Sequence, residues 1–555
     1  MRVLSMGKPF FCDVSPVSLY RGPHEIRTLG EDVTCDFQFD PRQDSAGDAI
    51  RRIACTWAPD LLMCWMPEAY PPPFGVEHAP IRTVALVSDW NVYHPILAPN
   101  SARYDLFLCD QRGANVLDAE LIQPMHAMPL YSAVTPIHRK MDIKKDIDVL
   151  FVGNLSTAAH PVRARYLERL ARLSDRYRIV LTGGAFGDDY ARLLNRARLV
   201  FNHSIRGELN LRVFETLACG STALLESGNL EVRGHVNPGE EIVLYDADNF
   251  EDCIAQLLEH PEKAQEIADA GHARASEFAG ENRLTALIDW IANAPGSGRP
   301  FCQLPEHEQR YRDILMYGQS RYAGHGEWAK SLLPELMDRC PDDPRVWSIT
   351  AQIGLSSPGA TLSDEILDAL ERAHACMPES AVLALNAALG CAARGDDKKA
   401  LGYLSKAVRC ESSSGETCLL GPPEDAFVIR WRRSVAERTA TIAMVHAEAH
   451  IRMANILAAH DDLAAAEEHL RCAEDLDAEN TSGVLFGAEL LWKTGRKSHA
   501  AERLYHRMAD LPLSIEARQR LCDMLAELGL RADALALARE TMQIMRAFVD
   551  DPATV

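Results

Sequence analysis

No run of eighteen uncharged apolar residues occurs in this chain, so nothing in it reads as a bilayer-spanning helix. Positive charge is also scarce: 58 Lys and Arg stand against 79 Asp and Glu, a net charge of −21. A surface this acidic repels phosphate backbones and anionic lipid, which argues against nucleic-acid or membrane-surface binding. No Cys-x-x-Cys pair exists among the 15 cysteines. An odd count without framework spacing reads as reduced thiols in a cytoplasmic protein, and no ligand-like spacing marks a structural zinc site. The first residues lack the long apolar core of a signal peptide, because Lys8 and Asp13 break the run.

What is present is ample core-forming material. The 555 residues are 47% apolar and 25% charged, enough for three or four ordinary globular domains. The first 300 residues alternate short apolar runs with helical patterns. Candidate strands are residues 2–5, 61–65, 83–88, 106–109, 148–153, 178–181 and 199–202. Continuous apolar runs such as residues 84–87 and 149–152 suit strands buried on both faces of a parallel sheet. Helical patterns at 162–173 and 188–198 follow two of them, so the region reads as α/β. A polar, Pro-containing stretch at 132–146 reads as a hinge between two Rossmann-like domains, residues 1–138 and 139–295. A Pro/Gly/Ser-rich linker near 293–300 ends them.

Beyond it strands vanish and a period appears. Ala466, Ala500 and Ala534 are each 34 residues apart, as are Ala454 and Ala488 in the preceding helices. Small residues at a fixed period let paired helices approach closely and stack, with 304–555 as the array and 412–438 as an interruption. This resembles the tetratricopeptide repeat, most clearly over its last three units; a generic helical bundle is the plainer alternative.

The stretch from Phe201 to Glu226 carries the most chemistry. A loop rich in Asn, Ser, Arg and Gly leads into a helix expected from about Asn210 to Cys219, with Gly220 at its end. Such a loop offers free backbone N–H groups and the positive end of a helix dipole, a site for a diphosphate. Arg212 adds a forked cation suited to phosphate oxygens. Glu215, about one turn on, can accept hydrogen bonds from vicinal ribose hydroxyls. The plainer reading is a surface ion pair between Arg212 and Glu215.

These residues, with 147–154, 239–245, 260–263 and 267–271 around them, resemble the nucleotide-sugar domain of GT-B glycosyltransferases. The pattern is most similar to the spore-maturation-protein (CgeB-like) branch, and it covers residues 146–290. The resemblance implies a double Rossmann fold and a retaining, metal-independent transfer from a nucleotide-diphosphate sugar, with no resident cofactor. It places Arg212 on the diphosphate, Glu215 on the ribose, and Asn210 and Ser204 near phosphates or sugar. Gly153 and Asn154 line the facing loop. One departure stands out: relatives carry two glutamates eight positions apart, but eight before Glu215 is Gly207, and the nearest acid is Glu208.

The first domain should supply the acceptor side. Asp89 and His94 follow an apolar strand, where ligands of open α/β sheets bind, and either could handle the acceptor's proton. A helix cap and an ordinary histidine are the competing readings, and Asp110 supports a weaker form of the same idea. The acid triplets at 146–148 and 246–248 read as solvated turns rather than metal ligands. Gly183 and Gly184 read as a turn, residues 139–146 as a mixed-charge linker, and Trp290, Trp328 and Trp347 as packing residues. The repeats suggest a polypeptide acceptor, flagellin or another secreted subunit. Polysaccharide or glycolipid synthesis, and a non-catalytic scaffold with a decayed transferase domain, are the alternatives.

Overall fold

A computed structural model of the chain describes residues 1–7, 20–40, 44–67, 74–88, 90, 101–118, 125–127, 132–133, 136–155, 157, 160–295, 314, 326–356, 362–411, 442–477 and 482–552. They divide into two compact units, one holding the described residues up to 295 together with 539–552, the other holding those between 314 and 538.

The first unit contains two all-parallel sheets. In the first lobe, β1 (Arg2–Gly7), β2 (Glu25–Gly30), β3 (Phe37–Gln38), β4 (Leu61–Trp65), β5 (Arg82–Leu86), β6 (Leu106–Cys109) and β7 (Met125–Ala127) lie in the order β3-β2-β1-β4-β5-β6-β7. Helix α1 (Ala46–Ala54) connects β3 to β4, and α2 (Gln111–Asp118) follows β6. Every residue of β4 and β6 is buried, as continuous apolar runs in a parallel sheet require.

The second lobe runs β8 (Ile147–Val152), α3 (Pro161–Ala171), β9 (Ile179–Thr182), α4 (Gly187–Arg196), β10 (Ala197–Phe201), α5 (Leu211–Cys219), β11 (Thr222–Glu226) and β12 (Val243–Tyr245). Helices α6 (Phe250–Glu259), α7 (Pro261–Ala273) and α8 (Gly280–Asn293) complete it. Helix α8 then crosses back: Leu284, Leu287, Ile288 and Ile291 enter the core of the first sheet beside Val3, Leu61, Val84 and Leu106. Arg82 at the start of β5 donates to the carbonyls of Ile291 and Ala294, capping the end of α8. Within the stretch 132–146, read from the sequence as a hinge, Met141 and Lys145 are tied to the second lobe. Met141 N–H donates to Asn195 at 2.7 Å and Lys145 Nζ donates to Ala197 O and Ser221 Oγ, each at 2.7 Å.

The second unit is helical: α9 (Gly326–Arg339), α10 (Pro344–Ser356), α11 (Asp364–Cys376), α12 (Ala381–Ala393), α13 (Asp397–Ala407), α14 (Ile442–Ala459), α15 (Leu463–Leu476), α16 (Ser482–Lys493), α17 (Lys497–His506), α18 (Ile515–Glu527) and the first half of α19 (Arg531–Arg546). Four of the five periodic alanines do the packing: Ala454, Ala466, Ala488 and Ala500 are fully buried in the helix–helix seams, whereas Ala534, near the start of the last helix, is only half-buried. Turns repeat their chemistry too, with Asp396 and Asp462 each capping a following helix through a carboxylate that accepts a backbone N–H. The expected interruption at 412–438 lies outside the described residues.

Midway along α19, at Arg539, the chain re-enters the first unit. Strand β13 (Phe548–Val549) pairs parallel with β9, so the second sheet has the order β12-β11-β10-β8-β9-β13. Among the described residues, no helix is long and apolar enough to cross a membrane.

Candidate donor site

All strands of the second sheet are parallel, so the carboxyl ends of β8 and β10 and the start of α5 share one edge. Helix α5 forms where the sequence suggests. Asn210 is its N-cap in extended conformation and Gly220 ends it in the left-handed region at φ +71°. Asn210 makes no capping hydrogen bond, and its Oδ1 is buried without a partner. The positive end of the helix is therefore left without its usual side-chain oxygen.

Arg212, on the first turn of α5, folds back over the end of β8. Its Nε and Nη2 donate to Val152 O at 3.0 and 2.6 Å, its Nη1 donates to Asn202 Oδ1 at 2.7 Å, and the guanidinium lies 4.5 Å from the centre of the Phe151 ring. All of these partners are neutral. Gly153 makes room for it, because a Cβ there would collide with the guanidinium. A second guanidinium flanks the same ring: Arg163 of α3 is 7% exposed and donates twice to His203 O, at 3.0 and 2.8 Å. His160 feels the charge of Arg163, Arg206 and Arg212; burial and those cations hold its imidazole down at about 4, hence neutral. Its Nδ1 and Asn202 Nδ2 are further buried polar atoms without partners. Cations bonded to neutral acceptors, beside orphaned polar atoms, are chemically suited to an anionic, hydrogen-bonding partner.

Glu215 does not join Arg212 in an ion pair. It is 3% exposed and faces α4, where Tyr190 Oη donates to its Oε2 at 2.9 Å and His138 Nε2 lies 3.5 Å from Oε1. Burial raises its carboxyl to about 7. The surface-pair reading fails, because the carboxylate is buried and its partners are Tyr190 and His138.

The loop between β10 and α5 is held by carboxylates. Ser204 donates through its N–H and hydroxyl to Glu226, whose own carboxyl burial raises to about 7. Glu208 turns inward and accepts from the N–H groups of Ile205 and Arg206 at 3.2 and 2.6 Å. Gly207 explains why no glutamate stands there. Its φ is +79°, a backbone that L side chains rarely adopt, and a Cβ would press on Leu230 at 3.2 Å. Asn154 is exposed on the facing loop. Asp89 and His94 lie outside the described residues. Asp110 is no free base: it accepts from Trp90 Nε1, Gly113 N and Arg206 Nε at 2.7–2.8 Å. The acid triplets are turns and ion pairs, with Asp246 accepting from Asp248 N and Asn249 N, and Asp146 paired with Arg178 and Arg196. Among the described residues no group of three or more His, Cys, Asp or Glu could hold a metal ion.

Arg163, Tyr190 and His138 escaped the sequence reading. Only the third dimension brings α3, α4 and residue 138 to α5.

Residues 139–289 match a family described as glycosyl transferase-like. No curated protein matches the chain. Solved structures that resemble it include Anabaena HepE in complex with UDP-glucose, at 11% identity, 53% of this chain, 100% of that chain and TM-score 0.39. Sucrose-phosphate synthase from Thermosynechococcus elongatus resembles it at 10% identity, 53% of this chain, 98% of that chain and TM-score 0.37. Pseudomonas aeruginosa pilF does so at 14% identity, 44% of this chain, 93% of that chain and TM-score 0.32. The chain joins two Rossmann-like parallel α/β lobes, the second of which matches a glycosyl transferase-like family over residues 139–289, to an array of paired helices with a 34-residue period.

Proposed function

We propose that the first unit binds a nucleotide-diphosphate sugar on its second lobe and transfers the sugar to an acceptor. The observation that carries this is Arg212, a cation fixed at the strand edge by neutral acceptors alone, beside an uncapped helix N-terminus. Arg212, Arg163 and the first turn of α5 would stabilise charge developing on the leaving diphosphate, so the reaction as proposed needs no metal. Asn210, Ser204, Gly153 and Asn154 would shape the phosphate and sugar positions. Glu215, turned toward Tyr190 and His138, would have to rotate toward the crevice to accept from the ribose hydroxyls. Asp89 or His94 would take the acceptor's proton.

A thermal-shift panel of UDP-, GDP-, dTDP- and CMP-sugars tests this. A ligand at 100 times its Kd stabilises by about 2.7 kcal/mol, so one of the three diphosphate sugars should raise the melting temperature clearly and the CMP-sugar should not. No response to any diphosphate sugar would sink the reading. A companion prediction concerns Gly153→Ala. Its Cβ displaces the Arg212 guanidinium, so the thermal shift should shrink at least tenfold in apparent affinity while the unliganded melting temperature barely moves.

The acceptor we assign is a polypeptide, such as flagellin, presented by the array in the cytoplasm. An apolar groove of about 230 Å³ lined by Ala388, Leu389, Ala392, Leu404, Arg452 and Ile456 supports it. Gly207 favours a second reading, a non-catalytic scaffold that keeps the donor fold. Hydrolysis of the bound sugar nucleotide by the purified protein would exclude that reading.

A further inference from the structure

The loop that bears Ser204 also reaches the other lobe of the first unit. Arg206 is 3% exposed. Its Nε donates to Asp110 Oδ2 at 2.8 Å and its Nη2 to Ser88 O at 2.8 Å. Ser88 lies two residues beyond β5 and Asp110 directly follows β6, so one guanidinium spans the carboxyl ends of two neighbouring strands of the opposite sheet. Both partners are themselves fixed. Trp90 Nε1 shares Asp110 Oδ2 at 2.8 Å, Gly113 N–H holds Oδ1 at 2.7 Å, and Glu208 Oε2 grips the backbone N–H of Arg206 at 2.6 Å. A second tie runs the other way: Glu231 of the second lobe accepts from Gln111 N–H at 2.9 Å and from Leu209 N–H at 2.7 Å.

We propose that Arg206 is a positioning residue, and that its buried pair with Asp110 is a clasp setting the separation of the two lobes at the donor crevice. A buried ion pair is a weak source of stability, since desolvation offsets most of the attraction. Two buried, hydrogen-bonded charges on opposite lobes do fix a distance and an orientation, because moving either lobe breaks charge-assisted hydrogen bonds that water does not reach to replace. The clasp holds the loop between β10 and α5 against Ser88, the residue before candidate base Asp89. Its bearing on catalysis rests on the nucleotide-sugar reading; its bearing on lobe geometry does not.

The experiment uses the full chain with spin labels on ketone-bearing residues introduced at Arg51 and Gln256, both exposed, one in each lobe. Interlobe distance distributions are compared for the parent protein, Asp110→Asn, Arg206→Gln and the double variant, with melting temperatures recorded alongside. Each single variant should broaden and lengthen the distribution, and the double variant should go no further than either, because the two changes break one interaction. Arg206→Lys keeps the charge, cannot span both acceptors, and should fall in between even if Arg206→Gln folds poorly. Distributions that superimpose on the parent, or a double variant that moves by the sum of the singles, would overturn the clasp. No donor is needed for this readout, so an empty thermal-shift panel removes the transfer reading alone, and an unmoved distance removes the clasp alone.

Discussion

Arg212→Ala should lower sugar transfer by two to three orders of magnitude while the protein stays folded. Removing one preorganised charge or donor from a developing negative charge costs a factor of about 10² to 10³, or roughly 3–4 kcal/mol of barrier. The structural loss is smaller. The side chain gives up its bonds to Val152 O and Asn202 and its stacking on Phe151, each worth about 1 kcal/mol, so the melting temperature should drop by only a few degrees. Arg212→Lys should fall between the two, since an ammonium keeps the charge but cannot fork between Val152 O and Asn202. Turnover is measured with whichever sugar nucleotide the thermal-shift panel selects. Near-parental turnover in Arg212→Ala would remove the residue from the mechanism.

Glu215→Gln should stabilise the second lobe at pH 8 and change little at pH 5. Burial raises the Glu215 carboxyl from 4.5 to about 7, so the folded state keeps a proton that the unfolded chain releases. The stabilisation from that proton is complete below about pH 4.5 and is lost as pH rises through 7. Glutamine mimics the protonated side chain at every pH and can still accept from Tyr190. The gain at pH 8 should be a few kcal/mol, because each tenfold change in proton affinity is worth about 1.4 kcal/mol. Buried histidines work against this in the native protein. His138, His160 and His203 are each held near 4 by burial, and their contribution is lost as pH falls below 6.5. The variant must therefore be compared with the parent at each pH. Urea titration followed by amide protection in α5 reads the difference, and equal gains at pH 5 and pH 8 would rule out a titrating Glu215.

Much of this molecule could be read from its residues, and the exceptions share a cause. The runs at 61–65 and 106–109 coincide with β4 and β6 because a strand covered on both faces must be apolar throughout. The array is legible through alanines at a fixed period, since small residues let stacked helix pairs approach closely, and four of the five are fully buried. Strand β2 was silent: only Leu29 is buried, and Glu25 and Arg27 look like loop residues. Of the site, the loop and helix from 201 to 220 carried a local signature. The partners of Glu215, the second guanidinium at Arg163 and the Arg206–Asp110 pair, 96 residues apart, had none. Such contacts depend on where sheets place distant segments, and no periodicity encodes them. Even the missing glutamate gained its reason only from the left-handed backbone at Gly207.

Strand β13 has a practical consequence for anyone who would cut this chain. Thr182 Oγ1 donates to Val549 O, and Leu181 N–H donates to Ala547 O, across a separation of 367 residues in the first case. A truncated product ending near residue 300 would leave the outer side of β9 as a raw border, ready to pair with a neighbouring molecule and precipitate. During synthesis the same border must wait until Phe548 and Val549 have left the ribosome. Nascent chains therefore carry an unfinished sheet while the entire helical array is being made, which makes this lobe the one to watch for chaperone dependence.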